Sequence, residues 1–186
     1  MSKKRQNGHL GGNIIGGDPN TYYPDLWKHL IDTFGATSVL DVGCGEGNAL
    51  SWFRDQGLEA FGIDGLPENV KITRSKGIKC EEIDFTVSQF KDRTYDLIWC
   101  CEVVEHVEER FVQNLIDTFK CGEFVAMTHA LPRQGGYHHV NCKPKEYWTD
   151  HMVKNGFKYL EKETIEAKNF EPQRYFNRSG LIFEKA

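Results

Sequence analysis

Four acids, a glycine turn and a set of histidines carry the residue types that could do chemistry together. Asp41 sits inside an apolar run, Ser38-Val39-Leu40-Asp41-Val42, and Gly43, Gly45 and Gly47 follow at alternate positions with Cys44 between the first two. Glycine removes side chains where the backbone must turn sharply and a ligand must come close. A carboxylate just before such a turn repels phosphate and suits a ligand bearing an ammonium or sulfonium charge. The spacing is G-x-G-x-G, not the G-x-G-x-x-G of dinucleotide sites, which disfavours a pyrophosphate ligand. Asp64, followed by Gly65, lies about twenty residues beyond the turn, where doubly wound folds place a carboxylate for ribose hydroxyls. Glu102, Glu105, His106, His129 and the pair His138-His139 beside Gly135-Gly136 are candidates for moving a proton. Histidine titrates nearest neutral pH, and a positioned base contributes ~10²–10⁴-fold to a rate.

These groups matter only if secondary structure brings them to one edge. Apolar runs predict strands over 38–42, 59–64, 78–83, 95–100 and 122–129. Between them, helical spacing predicts helices over 24–34, after Gly47, over 68–75 and through Phe111, Val112, Leu115, Ile116 and Phe119. Pro144 opens a further helix with Tyr147, Trp148, Met152 and Val153 inward, and 157–164 and 180–184 read as extended. Strand and helix in alternation indicate right-handed crossovers and a parallel sheet, with ligands bound beyond the carboxyl ends of the strands. Those ends carry Gly43 to Gly47, Asp64, Asp84-Phe85, Cys101-Glu102 and His129. The glycine turn is expected to open a helix with free N–H groups. Tyr22, Tyr23, Trp27 and Tyr137 are candidates to line an acceptor mouth.

Length and composition set outer bounds. The 186 residues read as a leader over 1–20, flexible and rich in glycine and polar residues, and one domain over 21–186. A formal charge of −4 argues against a nucleic-acid partner, and Lys3-Lys4-Arg5 reads as a solubilising tail. No run approaches the roughly 18 apolar residues of a membrane span, and no secretory signal pattern is present. Six cysteines without a C-x-x-C pair read as free thiols in a reducing compartment, so the expected location is cytoplasmic.

The stretch Val39-Leu40-Asp41-Val42-Gly43-Cys44-Gly45-Glu46-Gly47 closely resembles the first motif of class I S-adenosylmethionine-dependent methyltransferases, and the element order of the whole chain is similar to their core. The resemblance implies an α/β, Rossmann-like, seven-stranded mixed sheet, parallel with an antiparallel C-terminal edge hairpin, flanked by helices on both faces. It implies S-adenosylmethionine as cofactor and S-adenosylhomocysteine as product. In that arrangement Asp41 with Gly43, Cys44, Gly45 and Gly47 holds the methionyl part, Asp64 and Gly65 the ribose, and Asp84 and Phe85 the adenine. Cys101 and Glu102 then floor the site near the sulfonium. The expected function is methyl transfer to an O or N nucleophile of a small-molecule or glycan-like acceptor, by a monomer or homodimer. His138, His139, His106 and Glu102 are the catalytic candidates, and Tyr22, Tyr23, Trp27, His129 and Tyr137 the acceptor contacts. No metal is expected. The run Glu102-x-x-Glu105-His106 with a later histidine also resembles the metal set of small-RNA 2′-O-methyltransferases, so a site on Glu102, Glu105, His106 and His138 or His139 is the alternative. A non-catalytic S-adenosylmethionine-binding module and a nicotinamide-dependent oxidoreductase are the remaining alternatives, the latter disfavoured by Asp41 and the glycine spacing.

Overall fold

The computed structural model describes residues 8–10, 12, 14–172 and 174–186, so Lys3-Lys4-Arg5 lies outside the described residues. Seven strands form one sheet: β1 (Ser38–Val42), β2 (Glu59–Asp64), β3 (Lys79–Glu82), β4 (Tyr95–Cys100), β5 (Gly122–Met127), β6 (Phe157–Tyr159) and β7 (Leu181–Lys185). Their order across the sheet is β3-β2-β1-β4-β5-β7-β6. The first five run parallel, and β7 is antiparallel to both β5 and β6. The chain moves outward from β1 through β2 to β3, then returns to lay β4 on the other side of β1. That reversal opens a crevice above the carboxyl ends of β1 and β4.

Alternate residues of each central strand bury against opposite layers, because a strand points successive side chains to opposite faces. Leu40, Val42, Ile98, Val125 and Met127 pack with Leu115, Ile116 and Phe119 of α4 (Val112–Phe119) and with Trp148 and Met152 of α5 (Lys145–Lys154). Val39, Leu97, Trp99 and Ala126 pack with Leu26, Trp27 and Leu30 of α1 (Pro24–Phe34), and with Ala167 of α6 (Glu161–Ala167) and Phe176 of α7 (Tyr175–Ser179). Two further helices, α2 (Asn48–Asp55) and α3 (Pro67–Ser75), cover the β2–β3 side through Leu50 and Val70. Each large apolar side chain so buried contributes about 1.5–3 kcal/mol. At the start of the central strands, Asp96 Oδ2 accepts from the backbone N–H and hydroxyl of both Thr37 and Ser38 at 2.8–3.0 Å, tying β4 to β1.

Two expectations need correction. Extended structure after Phe157 stops at Tyr159, and α6 follows where Glu161, Glu163 and Thr164 favour a helix end over a strand. β6 and β7 nevertheless pair antiparallel at the sheet edge, as expected, with α6 and α7 in the connection between them. Val153 is 54% exposed, while Trp148 and Met152 of the same helix are buried. Among the described residues all six cysteines are free, and no helix is long and apolar enough to cross a membrane.

Candidate active site

A cavity of about 950 Å³ lies over the carboxyl ends of the first four strands. Its floor is the turn after β1. Gly43 and Gly45 take φ of 73° and 54°, a region side chains disfavour, and a Cβ at Gly43 would come within 2.3 Å of Val103 Cγ2. The helix α2 starts at Asn48 without a side-chain cap, so its first N–H groups are free among the described residues, as expected, while those of the glycine turn itself are spent. Gly43 and Cys44 both donate to Ile63 O, Gly47 donates to Cys44 O, and Gly45 donates to Asp64 Oδ2 at 2.8 Å.

Two acids flank this floor with different loads. Asp64 also accepts from Leu66 N at 2.8 Å and Asn69 Nδ2 at 3.1 Å, so its carboxylate pins the turn. Burial pushes its pKa up, against the opposing pull of these bonds. Asp41, 3% exposed, accepts no hydrogen bond among the described residues. Burial, with the nearby Asp64 charge second, pushes it up to about 8. Asp41 is thus an unpartnered buried carboxyl on the cavity wall.

At the β3 end, Asp84 is already engaged. Its Oδ1 accepts from Thr86 N and Oγ1 at 2.8 and 2.7 Å, and its Oδ2 lies 2.9 Å from His9 Nε2. Burial acts to raise the Asp84 pKa, but the bonds from His9 and Thr86 outweigh it and hold the carboxyl below its ordinary value. His9 belongs to a leader that lies over the cavity. Tyr137 Oη donates to Gly8 O at 3.0 Å, Gly16 N donates to Glu46 Oε1 at 2.9 Å, and Asn48 Nδ2 donates to Gly16 O at 3.0 Å.

The β4 end holds the candidate proton-handling groups. Glu102 sits at φ 56°, with its N–H donating to Thr128 Oγ1 and its Oε1 accepting from that hydroxyl at 2.8 and 2.9 Å. Burial raises its pKa. Glu105 is fully buried, neither carboxylate oxygen has a partner, and burial followed by the Glu102 charge raises it well above the ordinary range. The His106 and His139 rings meet edge to face with centroids 4.9 Å apart. Burial, then the His139 charge, lowers His106 to about 4. One ligand atom each from Glu105, His106 and His139 lies within 4.8 Å of the others.

The structure thus brings together most of the residues singled out from sequence. Asp41, Gly43, Cys44, Gly45, Asp64 and Gly65 line the cavity, as do Asp84, Phe85, Cys101 and Glu102. His106, His139, Tyr22 and Tyr137 line it too, whereas Gly47 stands behind it as the cap of α2. Four candidates are elsewhere. His138, whose backbone takes φ of 49°, is absent from the wall, whereas its neighbour His139 lines it. His129 is 2% exposed with Nδ1 at 3.2 Å from Ala130 O. Tyr23 and Trp27 are fully buried, the latter against Trp52, Phe53 and Trp99 at 5.1–5.8 Å. Sequence reasoning missed Thr128, His9 and Arg174, which sit in irregular or strand-end positions that carry no periodic signal.

Comparison with known proteins agrees with this geometry. A family described as "Methyltransferase domain" matches residues 20–121. The ubiquinone biosynthesis O-methyltransferase of Rickettsia canadensis (strain McKiel) is 28% identical over 159 residues, 80% of this chain and 67% of that protein. Against enzymes of the same name from four further Rickettsia species, the match spans only 35–42% of their length. Among solved structures, a TehB-like S-adenosylmethionine-dependent methyltransferase from Corynebacterium glutamicum superposes with TM-score 0.64 at 18% identity, covering 92% of this chain and 91% of that one. The plantazolicin methyltransferase BpumL in complex with S-adenosylhomocysteine superposes at 0.61 and 15% identity, covering 88% and 83%. At these identities the structural likeness establishes the fold.

Proposed function

We propose that this chain, which belongs to the class I S-adenosylmethionine-dependent methyltransferases, moves the donor's methyl group onto a hydroxyl oxygen of a small organic acceptor. The observation that carries the reading is Asp41, a buried carboxyl on the cavity wall whose missing partner fits the positive charge of the donor's amino-acid part. Gly43 is needed because Val103 packs against its Cα, and the turn it shapes lines the cavity below that part. The donor supplies an electrophilic methyl on sulfur, so the protein's work is positioning and proton removal. Asp64 holds the turn in shape and offers its remaining lone pairs to ribose hydroxyls. Phe85 offers a flat apolar face to adenine, while Asp84, occupied by His9, contributes through the closed leader. His139, facing the cavity beside Glu102, is the group placed to take the acceptor proton.

Transfer to oxygen is supported by the printed names of the Rickettsia relatives and by this pair of proton acceptors. Release of S-adenosylhomocysteine against a panel of phenols, catechols, polyols and amines tests it. Turnover with hydroxyl acceptors supports the reading, and turnover with amines alone overturns it.

A second reading rests on the convergence of Glu105, His106 and His139. The unpartnered Glu105 carboxylate fits a divalent cation, which would supply Lewis acidity toward an acceptor hydroxyl. His139, rather than His138, is then the later histidine, and Glu102 lies outside the trio. A formal charge of −4 weighs against RNA as the acceptor in this reading. Activity lost to a chelator and restored by manganese selects it, and indifference to chelation removes it.

A further inference from the structure

The formally charged side chains of the cavity wall are acids apart from one. Asp18, Asp41, Glu46, Asp64, Asp84 and Glu102 all contribute carboxyl groups, and Arg174 is the single permanently cationic side chain among the described lining residues. Such a charge in an acidic wall is expected to be neutralised by the nearest carboxylate, and it is not. Arg174 Nη1 donates to Pro19 O at 2.9 Å, and its guanidinium carbon lies 5.5 Å from the centre of the Tyr23 ring. It makes no ion pair among the described residues. Asp18, beside Pro19, spends its oxygens on Asn20 N at 2.8 Å and Tyr175 Oη at 2.9 Å. Glu171 feels the Arg174 charge without contacting it. One carbonyl and one aromatic face fix the guanidinium while leaving most of its five donors unspent.

Its place along the cavity is informative. Tyr23, the ring it covers, lies with its centroid 5.6 Å from that of Trp99 in β4, so Arg174 belongs to the β4 end. Asp84 follows β3, three strand spacings away, or about 14 Å. The guanidinium therefore stands where the donor's amino-acid part and the acceptor meet, far from the adenine end. A planar fork of donors at such a place matches a carboxylate bidentately, and an ammonium would not.

We propose that Arg174 binds a carboxylate at the transfer end of the cavity, either that of the donor's amino-acid part or one carried by the acceptor. The inference rests on the donor reading given above. Together with Asp41 it makes the transfer end a two-charge clamp, with one acid and one base set for a zwitterion or for an acidic acceptor.

Calorimetric titration of S-adenosylhomocysteine and of 5′-methylthioadenosine, which lacks the amino-acid part, into wild type, Arg174→Gln and Arg174→Lys tests it. Benzoate and its neutral isostere benzamide are then titrated into each protein saturated with S-adenosylhomocysteine. If the donor carboxylate is held, Arg174→Gln weakens S-adenosylhomocysteine about tenfold or more, leaves methylthioadenosine within twofold, and Arg174→Lys recovers part of the loss. If the acceptor carboxylate is held, S-adenosylhomocysteine is unaffected, and a wild-type preference for benzoate over benzamide disappears in Arg174→Gln and returns in Arg174→Lys. The proposal is overturned if neither discrimination changes, or if both nucleosides weaken together, which marks Arg174 as merely structural. Failure of S-adenosylhomocysteine to bind wild type at all refutes the donor reading itself, and with it this proposal.

Discussion

Replacing Asp41 by asparagine isolates the charge on which donor binding depends. In the ligand-free protein this carboxyl titrates at about 8, so at pH 7 roughly nine molecules in ten carry the proton. A donor ammonium about 4 Å away is worth about 4 kcal/mol at the effective dielectric of such sites. Driving off the proton at pH 7 costs about 1.4 kcal/mol of that. The remaining 2–3 kcal/mol corresponds to a loss of about thirty- to a hundred-fold in affinity for S-adenosylhomocysteine in Asp41→Asn. The same arithmetic gives a second readout. Binding to wild type releases close to one proton at pH 7 and about half of one at pH 8, seen as a dependence of the calorimetric enthalpy on buffer ionisation heat. Asp41→Asn abolishes that dependence.

Stability moves the opposite way. A folded-state carboxyl raised above its unfolded value keeps a proton that the unfolded chain gives up. Unfolding is therefore favoured progressively as pH climbs from about 4 to about 8. The ligand-free variant should be more stable than wild type at pH 8, by at most about 5 kcal/mol. Equal affinity in the two proteins, with the same proton release, would refute the reasoning.

Other consequences follow from the remaining geometry. His139→Ala should lower turnover by ~10²–10⁴-fold with little change in donor affinity, while His138→Ala stays within a few-fold of wild type, as read by steady-state kinetics. Asp96→Ala should cost about 1–2 kcal/mol in urea unfolding at pH 7. The bonds from Thr37 N–H first, and from the other Thr37 and Ser38 donors, lower the folded pKa of Asp96, so this stabilisation is present above the ordinary carboxylate range. It is lost as pH falls through the folded value, where wild type and variant converge. Trp27→Ala should cost about 3–5 kcal/mol of stability, because it empties the aromatic cluster with Trp52, Phe53 and Trp99. Donor affinity measured on the folded variant should stay within twofold, since Trp27 is not on the cavity wall.

The parts of the site that could be read from sequence are those set by short-range rules. Asp41 and its glycines follow from one strand and one turn, and Asp64 from the next strand, so their convergence needed only the parallel crossover. The acceptor side depends on longer loops, where only one of two adjacent histidines lines the cavity. His138 and His139 are chemically identical, and residue type alone does not separate them. Tyr23 and Trp27 misled because aromatic residues at the start of a helix serve a core as readily as a mouth. Glu161 to Thr164 reads as extended by its connection to Phe157, yet its acidic first turn and lack of alternation place it in α6. His9 and Arg174 come from segments remote in sequence, and their arrival at the cavity is a product of tertiary packing alone.

The most direct measurement is a crystal structure of the protein with S-adenosylhomocysteine. The account predicts the amino-acid part against Asp41 and Gly43, the ribose at Asp64 and the adenine beside Phe85, with the leader across it. A nucleoside bound outside this cavity, or turned end for end within it, would contradict the account.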